Sequence, residues 1–309
     1  MGKTSIGWTR GDDGSLGETW NPVTGCTKVS AGCKHCYAER VFPRAYAKSG
    51  RRFIDVATHP DRLEQPLRWR KPRRVFVNSM SDLFHEDIPE EFIDRVWRVM
   101  TKARQHTFQI LTKRPERMLA YLSRFRPDGD GWMTRDGRPA MGELQSGPLT
   151  STPHWPSKHI WLGVSVEDQE TANERIPLLL QTPAALRFVS YEPALEPVRW
   201  DFSWLPHGSV DSMFPRLDWI IVGGESGPGA RPFDIAWARE TLLQCRKAGI
   251  ACFVKQLGAR PIAAKMELLA AGWAVEPDYP PCFRLDLRDR KGENPAEWPA
   301  DLRVQEFPR

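Results

Sequence analysis

Apolar residues in this chain come in short runs separated by charged stretches, and two kinds of run alternate. The first kind is rich in β-branched and aromatic residues: RVFVNS at 74–79, TFQILT at 107–112, HIWLGVS at 159–165, LRFVSY at 186–191, DWIIVG at 218–223 and ACFVKQ at 251–256. Runs of this length bounded by turn residues predict strands, and residues 18–25 read as the first of the series. The second kind keeps a helical period. Phe92, Ile93, Val96, Val99, Met100 and Ala103 share one face of a helix opened by Pro89, Glu90 and Glu91. Proline suits a first turn, and acids suit the positive end of the helix dipole. Further helices are predicted from Pro115, over Ala172–Leu180, and from an Asp234 cap to Gly249. Tyr37 to Lys48 reads as a helix that Pro43 kinks or stops early.

Strands alternating with helices imply a parallel sheet, and strands that are apolar almost throughout imply cover on both faces. The expectation is an α/β fold, a partial or complete (β/α) barrel forming a single domain over 1–309. Three segments break the rhythm. Residues 1–17 read as a lightly ordered arm, 127–157 as an insertion rich in Gly, Pro, Ser and Asp, and 258–309 as a C-terminal extension. The extension holds a short helix near 263–271, an extended run at 282–287 and a Pro-rich tail. An unstructured loop as long as 127–157 inside a compact chain is usually functional or disordered.

Composition narrows the class. A chain of 309 residues is within reach of one α/β barrel. At 40 % hydrophobic and 27 % charged, it can build a core and is not a disordered protein. No apolar run approaches the roughly 20 residues of a membrane span, and the first residues contain no apolar signal core. A soluble, cytoplasmic protein is expected. The formal charge of +5 and pI near 8.9 fall short of the footprint of a dedicated nucleic-acid binder. The basic residues are uneven, however: RWRKPRR at 68–74 concentrates five cations around Trp69. Thirteen tryptophans suggest large rings in the core or in pocket walls.

In a barrel the reactive rim lies at the C-terminal ends of the strands. Those ends carry, in turn, Cys26, Cys33 and Cys36; Asn78, Ser79, Ser81 and Asp82; Thr112, Lys113 and Arg114; Ser165 and Glu167; Tyr191 and Glu192; Glu225 and Ser226; Lys255 and Gln256. Polarity returns at any strand end, so one such residue means little; a whole ring is more than a scaffold needs. Gly223, Gly224, Gly227 and Gly229 lie between a strand and a helix, a context open to a phosphate-cradling turn or to a plain tight turn.

The densest chemistry is at 19–40, TWNPVTGCTKVSAGCKHCYAER, where half of the six cysteines fall in a Cys-x6-Cys-x2-Cys pattern among turn-forming residues. In a chain without a signal peptide these read as metal ligands rather than disulfides. Structural zinc usually takes four protein ligands, and a fourth is not obvious: His35 is awkwardly placed between Cys33 and Cys36, and Cys245 and Cys252 read as core thiols. A [4Fe–4S] cluster normally takes four thiolates, so three would leave one iron open.

WNPVTGC, GCKHCYAER, NSMSDLFH, LTKRP, WLGVSVE, SYEPAL, VGGESG, VKQLG and DLRVQEFP, spread over residues 6–309, resemble the radical S-adenosylmethionine superfamily. The likeness is closer to a phage- and prophage-associated branch with a three-cysteine loop, and the strand-end pattern is similar to that of the spore photoproduct lyase group, whose members act on DNA. The resemblance implies that Cys26, Cys33 and Cys36 hold a [4Fe–4S] cluster whose open iron is chelated by S-adenosylmethionine. It also implies an electron donor for that cluster. His35 stands where the superfamily typically has an aromatic residue. The superfamily's loop is Cys-x3-Cys-x2-Cys, shorter than this one. Its Gly-Gly-Glu after the second strand is replaced here by Asn78-Ser79-Met80-Ser81-Asp82, while Gly223-Gly224-Glu225 comes four strands later.

The leading expectation is therefore an iron–sulfur enzyme that cleaves S-adenosylmethionine. His35 and Tyr37 would pack by the cofactor, and Asn78, Ser79, Ser165 and Glu192 would contact its ribose and methionyl groups. Lys113, Glu225, Lys255 and Gln256 would face substrate. A nucleic-acid base, DNA above all, is the expected substrate, with Arg68–Arg74 contacting phosphates. Two alternatives stand beside it: a non-catalytic protein stabilised by zinc or iron–sulfur that binds nucleic acid or a partner, and a radical enzyme acting on a peptide or small metabolite.

Overall fold

The computed structural model describes residues 2–47, 50–124, 156–200, 216–264 and 282–308. Thirteen strands and five α-helices occupy these segments. The strands are β1 (Lys3–Thr4), β2 (Gly17–Trp20), β3 (Val23–Thr24), β4 (Ala57–Thr58), β5 (Arg74–Val77), β6 (Thr107–Thr112), β7 (Ile160–Val166), β8 (Leu186–Tyr191), β9 (Trp219–Gly223), β10 (Phe233–Asp234), β11 (Ala251–Gln256), β12 (Pro261–Ala264) and β13 (Cys282–Arg284). The helices are α1 (Tyr37–Ala45), α2 (Glu90–Lys102), α3 (Pro115–Leu122), α4 (Gln169–Gln181) and α5 (Ile235–Ala248).

Eight strands form one sheet in the order β1-β2-β5-β6-β7-β8-β9-β11, parallel in the registers described except for the antiparallel β1–β2 pair. This is the mixed α/β class expected from the alternation of runs. No helix among the described residues is long and apolar enough to cross a membrane.

Contacts divide the chain into two compact units. The first comprises Met1–Val29, Cys36–Val164 and Pro177–Arg187; the second comprises Ser30–His35, Ser165–Ile176 and Phe188–Arg309. In the first unit, β5 is buried along its whole length and β6 along most of it, as parallel strands covered on both faces should be. Residues 1–17 are not a loose arm: β1 pairs with β2, and Trp8 is buried with its ring 4.8 Å from that of Phe76. The apolar area of one indole outweighs the Gly and Asp around it.

In the second unit, β8, β9 and β11 are parallel neighbours. Asp234 accepts a hydrogen bond from Ala236 N at 3.0 Å, and Gly249 ends α5 in the left-handed region, φ 67°, as the sequence predicts. The far edge of β11 is covered by the chain's last turns. Val254 N donates to Val304 O at 2.8 Å and Glu306 N to Cys252 O at 3.0 Å. Trp219, Phe253 and Phe307 pack as one aromatic cluster beside this join. The insertion expected at 127–157 and most of the helix expected at 263–271 lie outside the described residues; 261–264 is a strand, and the extended run at 282–287 supplies β13.

Candidate functional site

In the first unit, β2 and β5 run parallel with Trp20 opposite Val77, so the chain leaves both at the same level. Asn78 N donates to Trp20 O at 2.8 Å and Met80 N to Asn21 Oδ1 at 2.9 Å. Ser81 Oγ donates to Val23 O, also at 2.9 Å. Asn21 and Ser79 side chains are 3.2 Å apart, and the Tyr37 hydroxyl donates to the Ser79 carbonyl. Three residues expected beside the cofactor, Tyr37, Asn78 and Ser79, are thus brought together. Asn78 takes φ 58°, a left-handed conformation that asparagine tolerates better than most residues, and this is why β5 stops there. Asn78 is 3 % exposed, its Oδ1 accepts from Val23 N at 3.3 Å, and its Nδ2 has no hydrogen-bond acceptor among the described residues. A buried amide donor left in that state is costly unless a ligand accepts it.

Cys26 follows Gly25, which needs to be glycine. Its φ is 90°, and an added Cβ would lie 2.7 Å from Asp55 O and 2.8 Å from Phe53 O. Cys26 N donates to Phe53 O at 2.9 Å, which fixes the residue's position. Its Sγ lies 3.7 Å from Arg114 Nη1. Arg114 is buried and gathers the neighbourhood: Nε to Glu86 Oε2 at 2.7 Å, Nη2 to Thr27 Oγ1 at 2.8 Å, and Nη1 to Asp82 Oδ2 at 3.4 Å. Asp82 also accepts from Thr112 Oγ1 at 2.7 Å and from Lys113 N at 3.0 Å. Burial opposes the charge of Arg114, but the Glu86 hydrogen bond and the charges of Asp82 and Cys26 outweigh it and raise its pKa. Cys36 caps α1, its carbonyl accepting from Arg40 N at 3.1 Å. Cys26 and Cys36 are both half-buried.

One consequence can be measured. The Arg114 hydrogen bond holds the Glu86 carboxyl down to about 2, against an ordinary value of 4.5. In that window the unfolded chain binds the extra proton, so this contribution to stability is present above 4.5 and lost as pH falls towards 2. Glu86 has a 62 % exposed side chain, so solvent screens the effect and keeps it small. Arg114→Gln is expected to flatten the pH dependence of the urea midpoint over this window, with no change in its slope there counting against the link.

In the second unit, Cys33 lies within Ser30–His35, a stretch held at four points. The Ser30 hydroxyl donates to Glu167 Oε1 at 3.0 Å, and Gly32 packs so closely that a Cβ would lie 2.5 Å from Glu167 Cγ. Arg231 Nη1 donates to Ala31 O at 3.0 Å, and His35 Nδ1 lies 3.4 Å from Glu225 Oε2. Cys33 is half-buried, its Sγ 3.8 Å from Ser30 Oγ. Glu167 is fully buried and paired with Arg175, whose Nη1 lies 3.2 Å from Oε2 and also donates to Ser165 O at 2.8 Å.

The residues expected to face substrate are largely engaged. Glu225 binds Arg231 through both carboxylate oxygens; burial raises its pKa, but the Arg231 bonds and charge prevail and hold it below the usual value. Lys255 Nζ lies 2.9 Å from Glu192 Oε1, an ion pair outside hydrogen-bond geometry, and Ser190 Oγ donates to Oε2 at 3.1 Å. Gln256 Nε2 donates to Gly224 O at 2.8 Å, a structural tie. The glycines at 223–229 do not cradle a phosphate on a helix end, because β10 intervenes and Asp234 itself caps α5.

Arg114 is among the polar strand ends expected from the sequence, whereas nothing in the local pattern points to Arg175 or Arg231. Among the described residues no group of three or more His, Cys, Asp or Glu side chains is placed to hold a metal ion. Cys245 and Cys252 are buried, as core thiols should be, and Cys282 is exposed. The basic cluster at 68–74 is partly spent internally: Arg73 pairs with Glu18 and Arg74 with Asp12.

No curated protein and no solved structure matches the chain. A family model described as a protein of unknown function, DUF5131, matches residues 3–277. That match spans most of the sequence and both sets of contacts above, and the chain belongs to the DUF5131 family.

Proposed function

We propose that the protein is a radical S-adenosylmethionine enzyme on a partial (β/α) barrel, with Cys26, Cys33 and Cys36 holding a [4Fe–4S] cluster. The observation that carries this reading is the set of three half-buried cysteines within eleven positions of chain. Structural zinc usually takes four protein ligands, whereas three thiolates on a [4Fe–4S] cluster leave one iron open, so the donor set suits the cluster better than zinc. When bound, cluster and S-adenosylmethionine together would supply a 5′-deoxyadenosyl radical for hydrogen abstraction.

The chain's own residues would do the rest. Gly25 and the Phe53 carbonyl fix Cys26, and Arg114 offers its sulfur an N–H donor. Ser30, Ala31 and Gly32 are the tethers that set where Cys33 sits. The unpartnered Asn78 Nδ2 is a ready donor to a carboxylate or ribose oxygen, with Tyr37 and Ser79 beside it. Anaerobic reconstitution is expected to give about four irons with matching sulfide, and dithionite is expected to drive formation of 5′-deoxyadenosine or methionine. One zinc and no iron would instead establish a non-catalytic metal-stabilised protein.

A further inference from the structure

We infer that a basic groove in the second unit is the track for the phosphodiester backbone of a single nucleic-acid strand. The groove encloses about 640 Å³ and is lined by the Gly227–Ala230 turn, the Gly258–Pro261 turn and the chain around β13. Arg260, Arg284, Arg290 and Lys291 line it, against one carboxylate, Asp289. That carboxylate is occupied, accepting from the backbone N–H groups of Lys291, Glu293 and Asn294. Arg284 is tied to Ala259 O at 2.9 Å and Lys291 lies 3.8 Å from Glu293. The side chains of Arg260 and Arg290 are exposed and have no ion-pair or hydrogen-bond partner among the described residues.

Four cations on two chain segments, 260 and 284–291, all at the surface, suit a repeating polyanion better than one small phosphate, which is normally gripped by a buried cation and converging N–H groups. The glycines give the groove a side-chain-free wall that a backbone can approach. At Gly229 that wall adjoins the site: a Cβ there would lie 3.6 Å from the His35 ring, between Cys33 and Cys36 in sequence. A strand held by its phosphates along this wall would have its bases free to turn towards His35 and Glu225. The cluster at 68–74 makes a poorer track, because Arg73 and Arg74 already hold Glu18 and Asp12.

This adds a substrate class to the proposed radical chemistry and rests on it only for what happens after binding. The test is therefore a binding assay that needs no turnover: fluorescence anisotropy of a labelled single-stranded oligonucleotide on the full chain with its cluster reconstituted, over a range of salt. Arg260→Gln with Arg290→Gln is expected to weaken binding about tenfold or more at low salt. It should also make the slope of log K against log salt shallower by about 1.4, two phosphate contacts at about 0.7 each. Arg70→Gln with Lys71→Gln is expected to change neither quantity, and circular dichroism melts confirm that each variant is folded. Equal loss from both double variants, failure of the wild-type chain to bind, or displacement of the strand by a mononucleotide at equal nucleotide concentration would overturn the inference. Absence of S-adenosylmethionine cleavage alongside groove-dependent binding removes only the radical chemistry.

Discussion

Cys33→Ala is expected to abolish S-adenosylmethionine cleavage while leaving the apo fold intact. Cys33 is half-buried and contributes no core packing, so its loss removes a ligand without opening a cavity. The tethers around it are independent of its sulfur: Ser30 to Glu167, Arg231 to Ala31 O, and the close fit of Gly32. Denaturant unfolding of the apo variant should match the wild type within about 0.5 kcal/mol. Iron and sulfide after reconstitution should fall steeply, because two thiolates cannot replace three on a cubane. Cys252→Ser gives the contrast: it lies buried in β11, so it should lower stability yet keep iron and cleavage. Wild-type cleavage by Cys33→Ala would end the ligand assignment.

The largest effect on stability is expected at Glu167. Its carboxylate is fully buried and its partner Arg175 is 3 % exposed, so each charge depends on the other. Glu167→Leu leaves a buried guanidinium without its paired carboxylate and should cost about 3–5 kcal/mol. Replacing Arg175 with Met as well should restore most of that loss, since an apolar pair of similar volume is often as stable as a buried ion pair. The single variant also strips Ser30 of its acceptor. Reconstituted iron content should therefore stay low in the double variant even where the fold has recovered. A loss below about 1 kcal/mol in the single variant would mean the pair behaves as though solvent-exposed.

Sequence patterning located most of the sheet, for a physical reason visible in particular strands. TFQILT, LRFVSY and ACFVKQ match β6, β8 and β11 end to end, because burial along a strand writes itself into consecutive residues. RVFVNS ended two residues early because a single left-handed residue, Asn78, breaks the extended backbone without changing the local composition. Residues 1–17 misled for the opposite reason, since one buried indole outweighs a polar neighbourhood. In the site, Tyr37, Asn78 and Ser79 were legible together because neighbouring parallel strands deliver their ends to one level. Glu225, Lys255 and Gln256 were placed at the right strand ends, but their partners Arg231, Glu192 and Gly224 are set by tertiary packing, which no local pattern encodes.

The edge of β11 is closed by residues 304–306, which are synthesised well after the strand itself. On the ribosome, β9 and β11 can pair as soon as residue 256 emerges, yet Val254 N and Cys252 O then face solvent as an open ladder. Bare edges of apolar parallel strands invite pairing with other chains. The interval between residues 256 and 306 is thus a period of exposure during which a nascent chain depends on dilution or chaperones, and Trp219, Phe253 and Phe307 make its end a hydrophobic lock.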